Sequence, residues 1–297
     1  MTEPGSISVC IVCRNEADKL EACLESVAWA DEILVMDLES NDGSAAVAER
    51  HGATVVVREP FPIVEPLRNE LAERARGQWV LALDPDERVS QGLASELRRL
   101  SARDDIDLVD IPFSHWDFGY PPSHPLHRYD PKPRFYRRER VQWPAEPNTL
   151  PTVPAGRLHR LEHRDELVIV HDRNRSIPEA LDRAMRYAPA EARARIEAGE
   201  TFTARKMVRR LAQKTRRQFI EARALDDGVP GLVRATVLVA FDFYVWATFW
   251  QMSGARRTPE DDRYVRRIGR ALELSWNAAR VARGPVKAAR RLRRGGR

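Results

Sequence analysis

The chain predicts an α/β fold: a mostly parallel sheet flanked by helices, with a helical C-terminal extension. Three observations predict it. Short apolar segments alternate with amphipathic ones through the first hundred residues, the rhythm of parallel βαβ units. Polar or acidic residues, Glu16, Asp37, Asp84 and Asp86, fall where those apolar segments give way to loops. In open α/β sheets ligands bind just beyond the carboxyl ends of the strands. After Ile177 the pattern turns helical, and the composition turns basic.

The elements follow in order. Ile7–Val12 reads as a first strand, Cys13-Arg14-Asn15-Glu16 as a polar loop, and Leu20, Cys23, Leu24 and Val27 as one face of a helix. Glu32–Met36 is a second strand ending at Asp37. The turn-rich loop Leu38–Ser44 and a helix over Ala45–His51 follow it. Thr54–Val57 is a third strand, Pro66–Arg76 a helix and Trp79–Leu83 a fourth strand, apolar on both faces as a buried parallel strand is.

That fourth strand runs into Asp84-Pro85-Asp86-Glu87. Two hard carboxylates one residue apart at a sheet edge suit a divalent cation carrying a diphosphate. A solvated acidic turn leading to a helix at Ser90 is the plainer alternative. No G-x-G-x-x-G follows the first strand and no Walker A sequence occurs, which argues against a dinucleotide dehydrogenase and a P-loop enzyme.

Taken together, Cys13-Arg14-Asn15-Glu16, Asp37 with its Ser/Asn/Asp/Gly loop, Arg68-Asn69 and Asp84-Pro85-Asp86-Glu87 resemble the donor domain of family 2 glycosyltransferases, the GT-A (Rossmann-like) fold. The nearest likeness is to the bacterial branch that builds lipopolysaccharide cores. Leu167–His171, Ser176–Ala188 and Asp226–Gly231 extend it to about residue 250. The resemblance implies a metal-dependent, inverting transfer of a sugar from a UDP-sugar to an acceptor hydroxyl or amine, assisted by Mn²⁺ or Mg²⁺. It places Asp37 at the nucleotide base, where a carboxylate can accept the uracil imide N–H; a turn former is the alternative. It puts Cys13, Arg14 and Glu16 near base and ribose, a local ion pair being the alternative for Arg14 and Glu16, Asp84 on the ribose or on the metal through water, and Asp86 on the cation. Arg68 either binds phosphate or pairs with Glu65 or Glu70 on its own helix. His171, closing the run Leu167–Val170, either completes the metal shell or is a buried hydrogen-bonded histidine. Glu146, between Trp143 and Pro147, is the candidate base, or an ordinary loop glutamate. The likeness has departures: Pro85 stands where a small residue is usual, and the second loop reads Asp37-Leu38-Glu39-Ser40-Asn41-Asp42. A nucleotidyltransferase and a non-catalytic sugar- or nucleotide-binding subunit are the rival classes.

Charge divides the chain. Residues 1–110 carry 11 Arg/Lys against 23 Asp/Glu, and residues 111–297 carry 38 against 21. An acidic donor half (1–110), an acceptor-side half with lid (111–175) and a basic helical extension (176–297) follow. The basic remainder points to an anionic acceptor, on a lipid or carrier protein, or to an anionic surface. No nucleic-acid motif accompanies it. Residues 114–165, rich in Pro, His and aromatics, are expected to form an irregular lid. Helices are expected over Pro178–Tyr187, Pro189–Ala198 and Thr203–Ala224. Gly231–Met252 approaches a membrane span in length, but Arg234 and Asp242 interrupt it, so peripheral membrane contact or a homo-oligomer is expected, with simple packing against the donor domain as the alternative. The basic tail from Ser253 is expected to lack structure. Three cysteines without pair spacing and an amino terminus without a signal peptide point to the cytoplasm.

Overall fold

The computed structural model describes residues 5–61, 64–125, 130–144, 149–154 and 157–294, with side chains to residue 278. The chain divides into two units. The first comprises 1–177 with 224–231, the second 178–223 with 232–297.

The first unit is built on a seven-stranded sheet in the order β3-β2-β1-β4-β8-β6-β9. Its strands are β1 (Ile7–Cys13), β2 (Glu32–Asp37), β3 (Thr54–Val57), β4 (Trp79–Leu83), β6 (Leu108–Ile111), β8 (Lys132–Arg137) and β9 (Leu158–Arg160). β1 pairs in parallel with β2 and with β4, β2 in parallel with β3, and β6 in parallel with β9. Among the described strands of this sheet only β8 runs antiparallel, against β4 and β6. The expected mostly parallel sheet is what forms. Every residue of β1 and β4 is buried, because helices cover both faces of a parallel sheet. Among the described residues, four helices belong to this layer: α1 (Ala17–Ser26), α2 (Ser44–Arg50), α3 (Glu65–Arg74) and α4 (Gln91–Ser101). α1 buries Leu20, Cys23 and Leu24, each apolar side chain worth roughly 1.5–3 kcal/mol when fully buried. Trp79 stacks on Phe135 with ring centroids 4.6 Å apart, which ties β4 to the antiparallel β8. Gly77 leads into β4, and a Cβ there would meet the Ser8 amide nitrogen at 2.6 Å.

A second, three-stranded sheet has the order β5-β10-β7, with β5 (Glu87–Val89), β7 (Phe113–Asp117) and β10 (Ile169–Asn174). β10 lies antiparallel to β5 and parallel to β7. Two expectations are corrected here. Residues 114–165 are not an irregular lid throughout, since most of β7 and all of β8 and β9 lie in them; their alternating side chains pair with neighbours remote in sequence. His171 does not close a strand but sits inside β10, which continues to Asn174.

The second unit is helical: α5 (Ile177–Glu197), α6 (Ala204–Arg216), most of α7 (Gly228–Met252) and α8 (Pro259–Arg294). α5 is one helix where two were expected, with Pro189 inside it. The expected helix to Ala224 ends instead at Arg216, followed by a π turn over Arg217–Glu221. The tail expected to lack structure carries α8. Phe202, Trp246 and Phe249 pack ring against ring with centroids 5.7–6.2 Å apart. Asp242 is buried and takes Arg210 at 2.9 Å and Lys214 at 3.8 Å, so the charge that interrupts the apolar run is paired. A stretch over Ala224–Met252 is long and apolar enough to cross a membrane, and 33% of its most apolar window is buried. A cavity of about 590 Å³ in this unit is lined by Phe202, Met207, Phe243, Trp250 and Val265, among others.

Candidate functional site

The carboxyl ends of β1 and β2 carry two loops that hold each other. The Asn15 amide donates to Ser40 Oγ at 2.8 Å, and Asn15 Oδ1 accepts from the Asn41 amide at 2.8 Å. The Ala17 amide donates to Asp42 Oδ2 at 2.9 Å, and the Glu16 amide to Ser44 Oγ at 3.2 Å. Asn15 and Glu39 have φ of 53° and 52°, a left-handed conformation that Asn tolerates and Glu seldom adopts. Such residues persist where surrounding contacts over-determine the loop.

Asp37 ends β2 and is buried. Its Oδ2 accepts from the Ser40 amide at 3.1 Å, while Oδ1 is buried without a hydrogen-bond partner. A buried acceptor without a donor costs on the order of 1–3 kcal/mol, so a ligand N–H reaching it would be held. Cys13 is 1% exposed, and its carbonyl accepts from the Leu38 amide, which ties the ends of β1 and β2 together. Burial pushes its thiol up to about 11. Arg14 is exposed. Glu16 is half-buried; burial raises its carboxyl, and the negative charges of Asp86 and Asp84 raise it further against the pull of Lys19.

The acidic turn after β4 is tight. The Glu87 amide donates to the Asp84 carbonyl at 3.0 Å, which puts Pro85 at the second position of a four-residue turn, where its fixed φ is favoured. Glu87 closes the turn from inside, its Oε2 accepting from the Asp84 amide at 2.9 Å. The Asp84 carboxylate is committed to protein. Arg68 Nη2 donates to Oδ1 at 2.7 Å, and Arg134 Nη2 donates to Oδ2 at 2.9 Å. Burial pushes Asp84 up, but the two guanidinium charges override it and hold the carboxyl well below the usual range. The expected ribose or water-mediated metal contact of Asp84 must compete with these pairs. Arg68 turns to Asp84, while Glu70 takes Arg58 and Arg74. Arg68 also lies over the Trp143 ring, 4.4 Å from its centroid. Arg134 donates to Glu87 Oε1 at 2.9 Å as well. Burial, then the charges of Asp84 and Asp86, push Glu87 up to about 7 against the pull of Arg134.

Asp86 points elsewhere. Its Oδ2 lies 3.3 Å from His171 Nε2, and its carbonyl accepts from the Asp172 amide at 2.9 Å, tying the turn to β10. Two donors at that separation suit neighbouring positions around one ion with bonds of about 2.1 Å. Among the described residues no group of three or more His, Cys, Asp or Glu could hold a metal alone. Mg²⁺-type ions are commonly bound by one or two carboxylates together with substrate phosphates and water, so the pair fits a cation completed by a diphosphate.

Glu146 lies outside the described residues. The chain just before it is held: Asn69 Nδ2 donates to the Trp143 carbonyl at 2.9 Å, and Asn69 Oδ1 accepts from the Trp143 amide at 2.9 Å. The structure thus gathers Asp37, Glu16, Asp84 and Asp86 at the carboxyl ends of β1, β2 and β4 and adds His171 from the second sheet. Sequence reasoning missed Arg134 and His115, and named Asp130 only as a reserve for the base. Arg134 and His115 stand in strands β8 and β7, and no motif links them to residue 84 or 171; only strand pairing brings them near.

The pattern described as Glycosyl transferase family 2 matches residues 8–160, half of the chain. The chain belongs to that family. An uncharacterized glycosyltransferase of Rickettsia bellii is 36% identical over 103 residues, 34% of this chain and 34% of that protein. The lipopolysaccharide core biosynthesis glycosyltransferase LpsC of Rhizobium meliloti is 31% identical over 103 residues, 33% of this chain and 38% of that one. The matched stretch therefore spans about a third of these relatives. Among solved structures, S. aureus TarS 1-349 aligns over 84% of this chain and 92% of its own, at 14% identity and a TM-score of 0.43.

Proposed function

We propose that this chain moves a sugar from a UDP-sugar to an acceptor hydroxyl or amine, with inversion, assisted by Mn²⁺ or Mg²⁺ on Asp86 and His171. The observation that carries the reading is the convergence at the sheet edge: a buried Asp37 oxygen without a donor stands on one loop, and the Asp86–His171 pair stands beyond β4. Asp37 would receive the base, and Glu16 would line the site between base and turn. Asp84, Arg68, Arg134 and Glu87 would hold the turn rigid so that Asp86 is aimed. A cation there would neutralise charge on the departing diphosphate. Glu146 is the proposed base for the acceptor proton.

The acceptor is proposed to be anionic and carried on a lipid or carrier protein, because residues 111–297 are strongly basic. Exposed Leu232, Phe243 and Trp250 on α7 support peripheral contact with the inner membrane face or a homo-oligomer. Salt-sensitive binding to anionic liposomes, or a dimer in light scattering, would bear this out; a monomer that ignores liposomes would remove it. The activity itself is tested by a panel of UDP-sugars with Mn²⁺, reading UDP release with and without candidate acceptors. Donor turnover that Asp86→Asn abolishes supports the reading. Turnover unchanged in Asp86→Asn, or absent with every donor, defeats it.

A further inference from the structure

A row of four side chains crosses the second sheet. Register pairs Glu87 with His171 and His171 with His115, so the two imidazoles stand side by side. Asp86 Oδ2 is 3.3 Å from His171 Nε2. His171 Nδ1 is 2.9 Å from His115 Nδ1, and His115 Nε2 is 3.4 Å from Asp130 Oδ2. Lys132 Nζ stands 3.7 Å from the same Asp130 oxygen.

Counting protons makes the row directional. Two neutral imidazoles own one ring hydrogen each, and the row has three contacts. One contact always faces lone pair to lone pair. If His115 gives its hydrogen to His171, its bare Nε2 meets the Asp130 carboxylate. If His171 gives its Nδ1 hydrogen to His115, then His115 Nε2–H donates to Asp130, and the bare nitrogen left is His171 Nε2, beside Asp86. A cation between Nε2 and the Asp86 carboxylate satisfies that last contact and leaves every ring hydrogen bonded. Phe113 packs against both rings, with centroids 5.9 and 6.5 Å away.

We infer that His115, oriented by Asp130, is a positioning residue that holds His171 in the Nδ1–H tautomer and so aims the Nε2 lone pair at the cation beside Asp86. This rests on the metal-assisted reading above. The partner behind a metal-bound histidine fixes tautomer and ring direction, and its loss typically costs 10–100-fold in metal affinity.

The test uses the full chain and Mn²⁺, alone and with UDP. Titration followed by the electron paramagnetic resonance of free Mn²⁺ should show His115→Ala binding about 10–100-fold more weakly than wild type. His115→Asn keeps a carbonyl able to accept from His171 Nδ1–H and should recover most of the affinity. Nitrogen-15 spectra of histidine-labelled wild type loaded with Mg²⁺ should show His171 protonated at Nδ1. Wild-type affinity in His115→Ala, or a His171 protonated at Nε2 in the Mg²⁺-loaded protein, overturns the inference and leaves the metal reading standing. Wild type that binds no Mn²⁺ even with UDP overturns both.

Discussion

Replacing Arg134 by methionine would remove the guanidinium shared between Asp84 and Glu87, two of the three carboxylates of the acidic turn. Arg134 is 5% exposed and Glu87 is 1% exposed. Arg134 Nη2 lies 2.9 Å from Asp84 Oδ2 and 2.9 Å from Glu87 Oε1. In the variant Asp84 keeps Arg68, while Glu87 loses its guanidinium partner and keeps the adjacent Asp84 charge. Breaking a buried ion pair from one side costs about 3–5 kcal/mol, a large share of a total stability of roughly 5–15 kcal/mol. Glu87 already stands at about 7 through burial, so without Arg134 it can take a proton, which places the cost near the lower end, about 3 kcal/mol. The sign with pH follows. A carboxyl whose folded value exceeds its unfolded one lowers stability as pH rises toward the folded value, so the deficit should be larger at pH 8 than at pH 6. Methionine retains most of the stem volume, so packing against Phe113 and Trp143 changes little. Because the chain has two units, amide hydrogen exchange of β1 and β4 is the suitable assay; it reports opening of this unit apart from the helices. Adding Glu87→Gln should restore part of the loss. An opening free energy of β4 within about 1 kcal/mol of wild type would refute the reasoning, since the turn would then be held without this guanidinium.

Three further outcomes are expected. Asp37→Ala should weaken UDP binding by about 1–3 kcal/mol, the value of a hydrogen bond to a charged acceptor; calorimetry giving equal affinity would take Asp37 out of the site. Glu146→Gln should lower turnover far more than donor affinity, because only proton removal is lost; near-normal turnover would place the base elsewhere. Asp107 is buried and its carboxyl is held below the usual range by hydrogen bonds from Arg157 and Arg140, against desolvation. Its contribution to stability is present above the unfolded carboxylate value near 3.9 and is lost as pH falls through the lower folded value. Asp107→Asn should therefore flatten the acid side of the stability curve, and an unchanged acid limb in denaturant titrations would contradict the assignment.

Periodicity and residue chemistry determined the layer of strands and helices in the first hundred residues. Apolar runs such as Trp79–Leu83 can satisfy burial on both faces only inside a covered parallel sheet, so strand identity and the loops at their carboxyl ends are local properties. Asp37 and Asp86 could be singled out for that reason, and Pro85 is a local matter too, suited to the second position of a turn. What the tertiary structure decided is everything that depends on pairing across distance. Arg134 reaches Asp84 from a strand 50 residues later, and His115 reaches His171 across 56 residues; neither separation carries any period or motif. The stretch 114–165 read as irregular because its strands are short and paired non-locally, so their stability comes from partners rather than from propensity. Arg68 could be placed on α3 from sequence, but the carboxylate it faces depended on how α3 packs against the sheet. Asp242 could be seen to interrupt an apolar helix, but its two cationic partners on α6 appear only when the helices are folded together. Local physics wrote the elements and the loop carboxylates; three-dimensional proximity chose which charges those carboxylates meet, because a buried charge takes its energy from neighbours a few ångströms away and not from its place in the chain.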